Sequence, residues 1–243
     1  MVRRMGGFAC DQCDMGLDYQ DAYIMRKSRK GRDLHFCSKE CSEKLPPPKE
    51  PTLIISDFIT DEQASEFIFE SNGIEEIHYD PALALQEWKH KDTKIPELRG
   101  QAKALRYVIK RFGHAKLTVD VIVKLHKLLM SQLLPPECLG LRRDLVRVGS
   151  RICPYPIEIR PMLLRWLEKV NAMKKPTEDE IWQTHLAYEY IHPFIDGNGR
   201  SGRLLWLWLR FKFGFNYKCI YNLSKYNDYY PQFDVFSWDD WKK

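Results

Sequence analysis

From residue 61 to residue 211 the apolar side chains recur at intervals of three and four, the signature of helices that bury one face. A helix is predicted over about 61–76, with Ala64, Phe67, Ile68 and Ile74 on one stripe and Gly73 weakening its end. Asp80 followed by Pro81 reads as a cap and a first helical position, continued to Trp88. Residues 96–112 align Leu98, Ala102, Leu105 and Ile109. Residues 119–133 align Ile122, Leu125, Leu128, Leu129 and Leu133, and residues 160–173 align Leu163, Leu164, Leu167 and Val170. Thr177 and Glu180 have capping-box spacing and open a helix that runs to about Ile191. A further helix starts near Arg200 and carries Leu204, Leu205, Leu207, Trp208 and Phe211. Only residues 146–148 and 152–157, with Gly149 between them, look extended, which predicts one β-hairpin in an otherwise all-α fold.

The helical pattern is preceded by Pro46, Pro47, Pro48 and Pro51, which cannot continue a helix and favour extended chain. They mark residues 46–52 as a short, stiff linker between a module at 1–45 and a domain at 53–243. A length of 243 residues suits that division, and 44% hydrophobic residues is ordinary for a protein with a packed core. The net charge of +5 permits contact with nucleic acid without demanding it, and a solvated, slightly basic surface is the preferred reading. No apolar run is long enough to span a bilayer, and the first residues lack the apolar stretch of a signal peptide. No membrane partner and a cytoplasmic setting are therefore expected.

Residues 192–203, His-Pro-Phe-Ile-Asp-Gly-Asn-Gly-Arg-Ser-Gly-Arg, lie between two predicted helices. Gly197 and Gly199 let backbone N–H groups converge, and the helix start that follows adds unpaired donors and a positive dipole end. Arg200 and Arg203 put two cations on one face of that first turn, where they oppose the helix dipole unless an anion neutralises them. Asp196 beside such a cradle suits Mg²⁺, a hard cation that takes oxygen donors. His192 has an ordinary pKa near neutrality and can take a proton from a hydroxyl. Together these groups point to phosphoryl or nucleotidyl transfer, and the spacing excludes a P-loop.

The twelve residues match the signature of the Fic family at every fixed position. Gly140-Leu141-Arg142-Arg143, the hairpin and the helix through His185 also resemble the Fic core in the expected order, over roughly residues 55–241. The resemblance implies a helical domain with a β-hairpin flap that pairs with a target's backbone. It implies a protein adenylyltransferase, which moves AMP from ATP to a Ser, Thr or Tyr hydroxyl of a target protein and releases pyrophosphate. By the same resemblance His192 is the general base and Asp196 holds Mg²⁺. Gly197, Asn198 and Gly199 form the cradle, with Asn198 near the α-phosphate, and Arg200 and Arg203 bind the outer phosphates. Phe194 is read as a core anchor. Tyr229 and Tyr230 resemble a tyrosine pair near the family's nucleotide pocket, and core packing explains them equally well.

Ser71-Asn72-Gly73-Ile74-Glu75-Glu76 is similar to the family's inhibitory helix, with Ser71 and Glu75 matching and Glu76 replacing the usual Gly or Asn. The resemblance implies that Glu75 occupies Arg203 and competes with a phosphate for it. The alternatives are a relative that removes AMP or transfers another phosphate-linked group. From a different class comes a zinc-finger nucleic-acid-binding regulator that keeps the fold as a switch. The oligomeric state, homodimer included, is left open.

Of seven cysteines, four fall at Cys10, Cys13, Cys37 and Cys41, two pairs that suit a structural Zn²⁺ site. A module of that size has too small a core to fold securely without such a staple. The basic run at 26–32 between the pairs is read as a solvated hairpin tip.

Overall fold

The computed structural model describes residues 58–113 and 115–243 with their side chains, and before them the backbone of four short strands. The chain divides into two compact units, Met1–Thr52 and Leu53–Lys243. In the first, β1 (Phe8–Ala9) pairs antiparallel with β2 (Gly16–Leu17). β3 (Ile24–Lys27) pairs antiparallel with β4 (Asp33–Phe36), with Ile24 opposite Phe36 and Lys27 opposite Asp33. The four cysteines expected to hold zinc, the side chains of the basic run and the linker at 46–52 lie outside the described residues.

The second unit is predominantly helical. α1 (Asp61–Ile74) begins at a reciprocal cap: the Gln63 N–H donates to Thr60 Oγ1 at 3.2 Å and the Thr60 N–H to Gln63 Oε1 at 3.0 Å. α2 (Pro81–His90) starts on the Asp80 side chain, with proline at its first position as expected. α3 (Pro96–Arg111) and α4 (Val119–Met130) cross at Gly100, where an added Cβ would lie 2.1 Å from the Leu129 carbonyl oxygen. α4 stops one turn short of the expected end.

β5 (Arg147–Val148) and β6 (Arg151–Ile152) form the hairpin, and α5 (Pro156–Ala172) follows almost at once. The extended reading of residues 156–157 and the helix start at 160 are therefore corrected. Pro156 has no N–H to lose at a first helical position, and the Glu158 carboxylate accepts the Tyr155 N–H at 2.7 Å. α6 (Glu178–Ile191) opens on the expected Thr177–Glu180 box. α7 (Asn198–Lys212) is the central helix, with thirteen of its fifteen residues buried. α1, α3, α4 and α6 pack around it, with Phe67, Leu105, Tyr188 and Trp208 among the fully buried side chains.

After α7 the chain winds through a one-turn π-helix, Lys225–Tyr229, and two short helices, α8 (Pro231–Asp234) and α9 (Trp238–Trp241). This return folds Tyr229 onto α6, its ring 5.9 Å from His185. No helix among the described residues is long and apolar enough to cross a membrane.

Candidate functional site

The site forms where α6 ends and α7 begins. His192 caps α6 in the left-handed conformation (φ 50°), and Pro193 prevents the helix from continuing. The next residues are locked from inside. Phe194 is fully buried and stacks on His126, ring centres 3.7 Å apart. The Phe194 N–H donates to Asn198 Oδ1 at 2.8 Å, and Asn198 Nδ2 donates to the Phe194 carbonyl at 2.9 Å. The Asn198 side chain therefore closes the loop, and its backbone N–H is what remains for a ligand. His126 Nε2 lies 2.9 Å from the Asp196 carbonyl, and burial pushes that histidine's pKa down to about 4. Neutral His126 thus donates from Nε2 and fixes the loop's far side. Gly197 takes φ 77°, and a Cβ there would lie 2.7 Å from Met130 Sδ.

Two arginines close the carboxyl end of α6. Arg142 donates from Nε to the His192 carbonyl at 2.7 Å, and its other guanidinium nitrogens donate to the carbonyls of Asp144 and Pro154. Arg151, on β6, reaches the carbonyls of Tyr190 and Glu189 and lies 4.9 Å from the Tyr190 ring centre. The hairpin is thereby tied to the His192 turn, and carbonyls left over at a helix end gain cationic partners.

His192 itself is mostly enclosed. Nδ1 lies 3.4 Å from the Glu189 carbonyl. Burial, followed by Arg151, pushes its pKa down to about 4, so the ring is neutral at neutral pH. With the Nδ1 hydrogen directed at that carbonyl, Nε2 keeps a free lone pair.

Across the loop, Arg200 is 3% exposed. Its Nη2 is 3.4 Å from both Asp196 oxygens, and Nε and Nη1 have no hydrogen-bond partner. Arg203, 2% exposed, is by contrast fully engaged. It donates from Nε to Ser71 Oγ at 3.0 Å, and from Nη2 to the Ser71 carbonyl at 2.8 Å and to Glu75 Oε1 at 2.6 Å. Nη1 approaches the Tyr229 hydroxyl at 3.4 Å. Glu75 lies over the first turn of α7, because a Cβ on Gly199 would come within 2.4 Å of its Oε1. Burial raises the Glu75 pKa, but Arg203, Arg200 and His192 outweigh it and hold the carboxyl below its ordinary value. A carboxylate therefore sits where the helix start and two guanidinium groups favour an anion.

All residues singled out at 192–203 converge on this place, together with Ser71 and Glu75 from α1. Tyr229 is buried beneath it, its hydroxyl 2.9 Å from His185 Nε2, and Tyr230 donates to the Ile74 carbonyl. Glu189 was missed. Its carboxyl is buried beside Gly202, where a Cβ would fall 2.1 Å from its Oε1, and that oxygen has no partner. Burial pushes it up to about 8; Arg203 opposes the rise and Glu75 adds to it. A carboxylate on the Ile181–Tyr188 side of α6, one turn before His192, was the available signal. His126, on the apolar face of α4, was another.

Residues 116–209 match the model of the Fic/DOC family. The chain carries a Fic/DOC domain. A Drosophila erecta protein adenylyltransferase Fic is 33% identical over 113 residues, covering 45% of this chain and 23% of that protein. The Drosophila melanogaster protein of the same name is 31% identical over the same length, with the same coverage. The chain thus aligns with less than a quarter of the length of these curated relatives. Among solved structures, Caenorhabditis elegans Fic-1 (residues 134–508) aligns with a TM-score of 0.62 at 19% identity, covering 79% of this chain and 60% of that one. A Fic-domain signalling protein of Bacteroides thetaiotaomicron gives 0.60 at 21% identity, covering 69% and 70%. These structures share the fold, and the matched stretch includes the His192 turn and the start of α7.

Proposed function

We propose that the protein transfers AMP from ATP to a Ser, Thr or Tyr hydroxyl of a target protein, and that Glu75 restrains the reaction. The observation that carries this reading is the pairing of neutral His192 with an anion cradle in which Arg200 has vacant donors. Relatives named as protein adenylyltransferases over the same stretch support it. The hydroxyl oxygen attacks the α-phosphorus, the bond to the bridging oxygen breaks and pyrophosphate leaves. The hydroxyl proton passes to His192 Nε2. The backbone N–H groups at the start of α7, with Arg200 and Arg203, offset the charge on the phosphates.

The family implies Mg²⁺. The donor set fits it: the Asp196 side chain is 55% exposed, lies beside the cradle and offers hard oxygen donors, with Oδ1 accepting the Gly197 N–H at 2.5 Å and Oδ2 held only by a long 3.4 Å contact to Arg200. When bound, the metal would neutralise phosphate charge, and Asp196 would hold it.

The test is incubation with ATP labelled at the α-phosphate. Glu75→Gly is expected to raise label incorporation, and His192→Ala to abolish it in both backgrounds. Labelling that is equal in wild type and Glu75→Gly removes the restraint. Labelling that survives His192→Ala removes the assigned base. The Glu75 carboxylate, 2.6 Å from Arg203 over the cradle, is also placed to orient a water. Release of AMP from a pre-modified target, lost in Glu75→Gly, would instead identify removal of AMP as the activity.

A further inference from the structure

A second charged feature lies away from the His192 turn. The exposed face of α3 carries Arg99, Lys103, Arg106 and Lys110, spaced four, three and four residues apart. With Lys91, just past the end of α2, they line a groove of about 410 Å³. Like charges at such spacings repel and weaken a helix. Lys91, Arg99, Lys103 and Lys110 have no ion-pair partner among the described residues, and only Arg106 feels the Glu87 carboxylate. The single acidic side chain lining the groove, Glu87, is 2% exposed and turned to Thr93, accepting its N–H at 3.2 Å and its hydroxyl at 2.8 Å.

The groove is also built. Arg106 lies 4.4 Å from the centre of the Trp88 ring and donates to the carbonyls of Glu87 and Trp88, which fixes its guanidinium along the groove. Tyr107, partly exposed, lines it between Lys103 and Lys110, its ring backed by Trp208 in the core at 6.3 Å between centres. A row of cations at regular intervals with an aromatic ring among them suits a phosphate chain that carries flat bases. An acidic peptide would use the cations alone.

We infer that the groove along α3 binds single-stranded nucleic acid, with Lys91, Arg99, Lys103 and Lys110 meeting phosphates and Tyr107 offering a stacking surface. This departs from the solvated-surface reading of the net charge, because five cations line the groove and its one carboxylate, Glu87, is buried. The site is separate from the proposed transfer chemistry and does not depend on it.

The test is fluorescence anisotropy of a labelled oligouridylate of about twelve nucleotides with the whole chain, titrated between about 50 and 200 mM salt. About four neutralised phosphates give a slope of log K against log salt near −3, so affinity should fall roughly 60-fold over that range. In Lys103→Glu/Lys110→Glu the slope should shrink by about half, and binding at the lower salt should weaken at least about tenfold. Lys103→Gln/Lys110→Gln should give the same change in slope with a smaller loss, which separates lost contacts from added repulsion. Both side chains are exposed, so the melting temperature should hold in each variant. An unchanged slope and affinity in the double variants would overturn the site. Displacement of the oligonucleotide by polyglutamate at equal charge would overturn the ligand class, and so would tighter binding of a duplex of the same length.

Discussion

Glu189→Gln isolates one buried proton. An unfolded glutamate titrates near about 4.3, whereas burial in the fold pushes Glu189 up to about 8. An acid whose pKa rises on folding stabilises the fold fully below its unfolded pKa. That contribution is lost as the pH rises through the folded value. Three histidines act in the opposite sense. Burial pushes His126, His185 and His192 down to about 4, 3 and 4, so they lower stability as the pH falls below their unfolded value near about 6.5. Both proteins carry these histidines, so their contributions cancel, and between about pH 6.5 and about pH 8 Glu189 is left to set the difference between the two. One proton is worth about 1.36 kcal/mol per pH unit, so wild type should lose roughly 1.5–2 kcal/mol more than Glu189→Gln across that window. For a domain of this size each kcal/mol moves the midpoint by about 2–4 °C, a difference of roughly 3–8 °C. Thermal melts of both proteins at the two ends of the window, at matched ionic strength, measure it. Parallel midpoints would refute the reasoning: Glu189 would then be ionised throughout and held by Arg203 and Arg151.

Three further substitutions test the frame around the site. Glu76 adopts φ 62°, a left-handed conformation that suits glycine or asparagine, and its carboxylate, itself 70% exposed, makes only a long 3.5 Å pair with Lys225 and accepts the Tyr226 hydroxyl at 3.0 Å. Glu76→Asn should stabilise the chain by about 0.5–1 kcal/mol, seen as a higher urea midpoint; a lower midpoint contradicts the strain. Gly100→Ala puts a methyl 2.1 Å from the Leu129 carbonyl oxygen and must part α3 from α4. It should cost about 1–3 kcal/mol, and an unchanged melt would show that the crossing is looser than described. Arg142→Lys replaces a fork that serves three carbonyls with a single ammonium. The unpaired carbonyls should cost about 1–3 kcal/mol, with faster proteolysis at the hairpin; unaltered proteolysis would separate the hairpin from the His192 turn.

The helices were legible because each pairs an apolar stripe with a local start signal. Thr177 with Glu180, and Asp80 before Pro81, fix their helices through contacts within three residues. The start of α5 was not, because Ile152 and Ile157 flank Pro156, and proline next to β-branched residues reads as extended chain while also fitting a first helical turn. The return after α7 was missed for another reason. Its turns are too short to show a period, and tertiary packing holds them, with Tyr229 wedged between Phe233 and His185. The loop at 192–203 is contiguous, so its chemistry could be read from twelve letters. Arg142 and Arg151 come from separate stretches and meet the His192 turn only through the fold.

Arg200 and Arg203 sit one helical turn apart and differ in what they already hold. Arg203 is satisfied by Ser71, Glu75 and Tyr229, whereas two of the Arg200 nitrogens have no partner although the group is buried. A buried donor without an acceptor is costly, so a phosphate arriving at Arg200 fills a vacancy and displaces nothing. One arriving at Arg203 must first move Glu75, giving up a hydrogen bond between charged groups, a class that contributes about 1.5–3 kcal/mol. That difference lowers the population of any pose needing Arg203 by roughly tenfold to a hundredfold. On the proposed reading, then, Glu75 acts on where the phosphates settle more than on whether nucleotide binds. Label transfer, not nucleotide affinity, is the quantity that exposes it. The same logic makes Glu75 reversible: no covalent change is needed, only a shift of α1 that withdraws one carboxylate from one guanidinium.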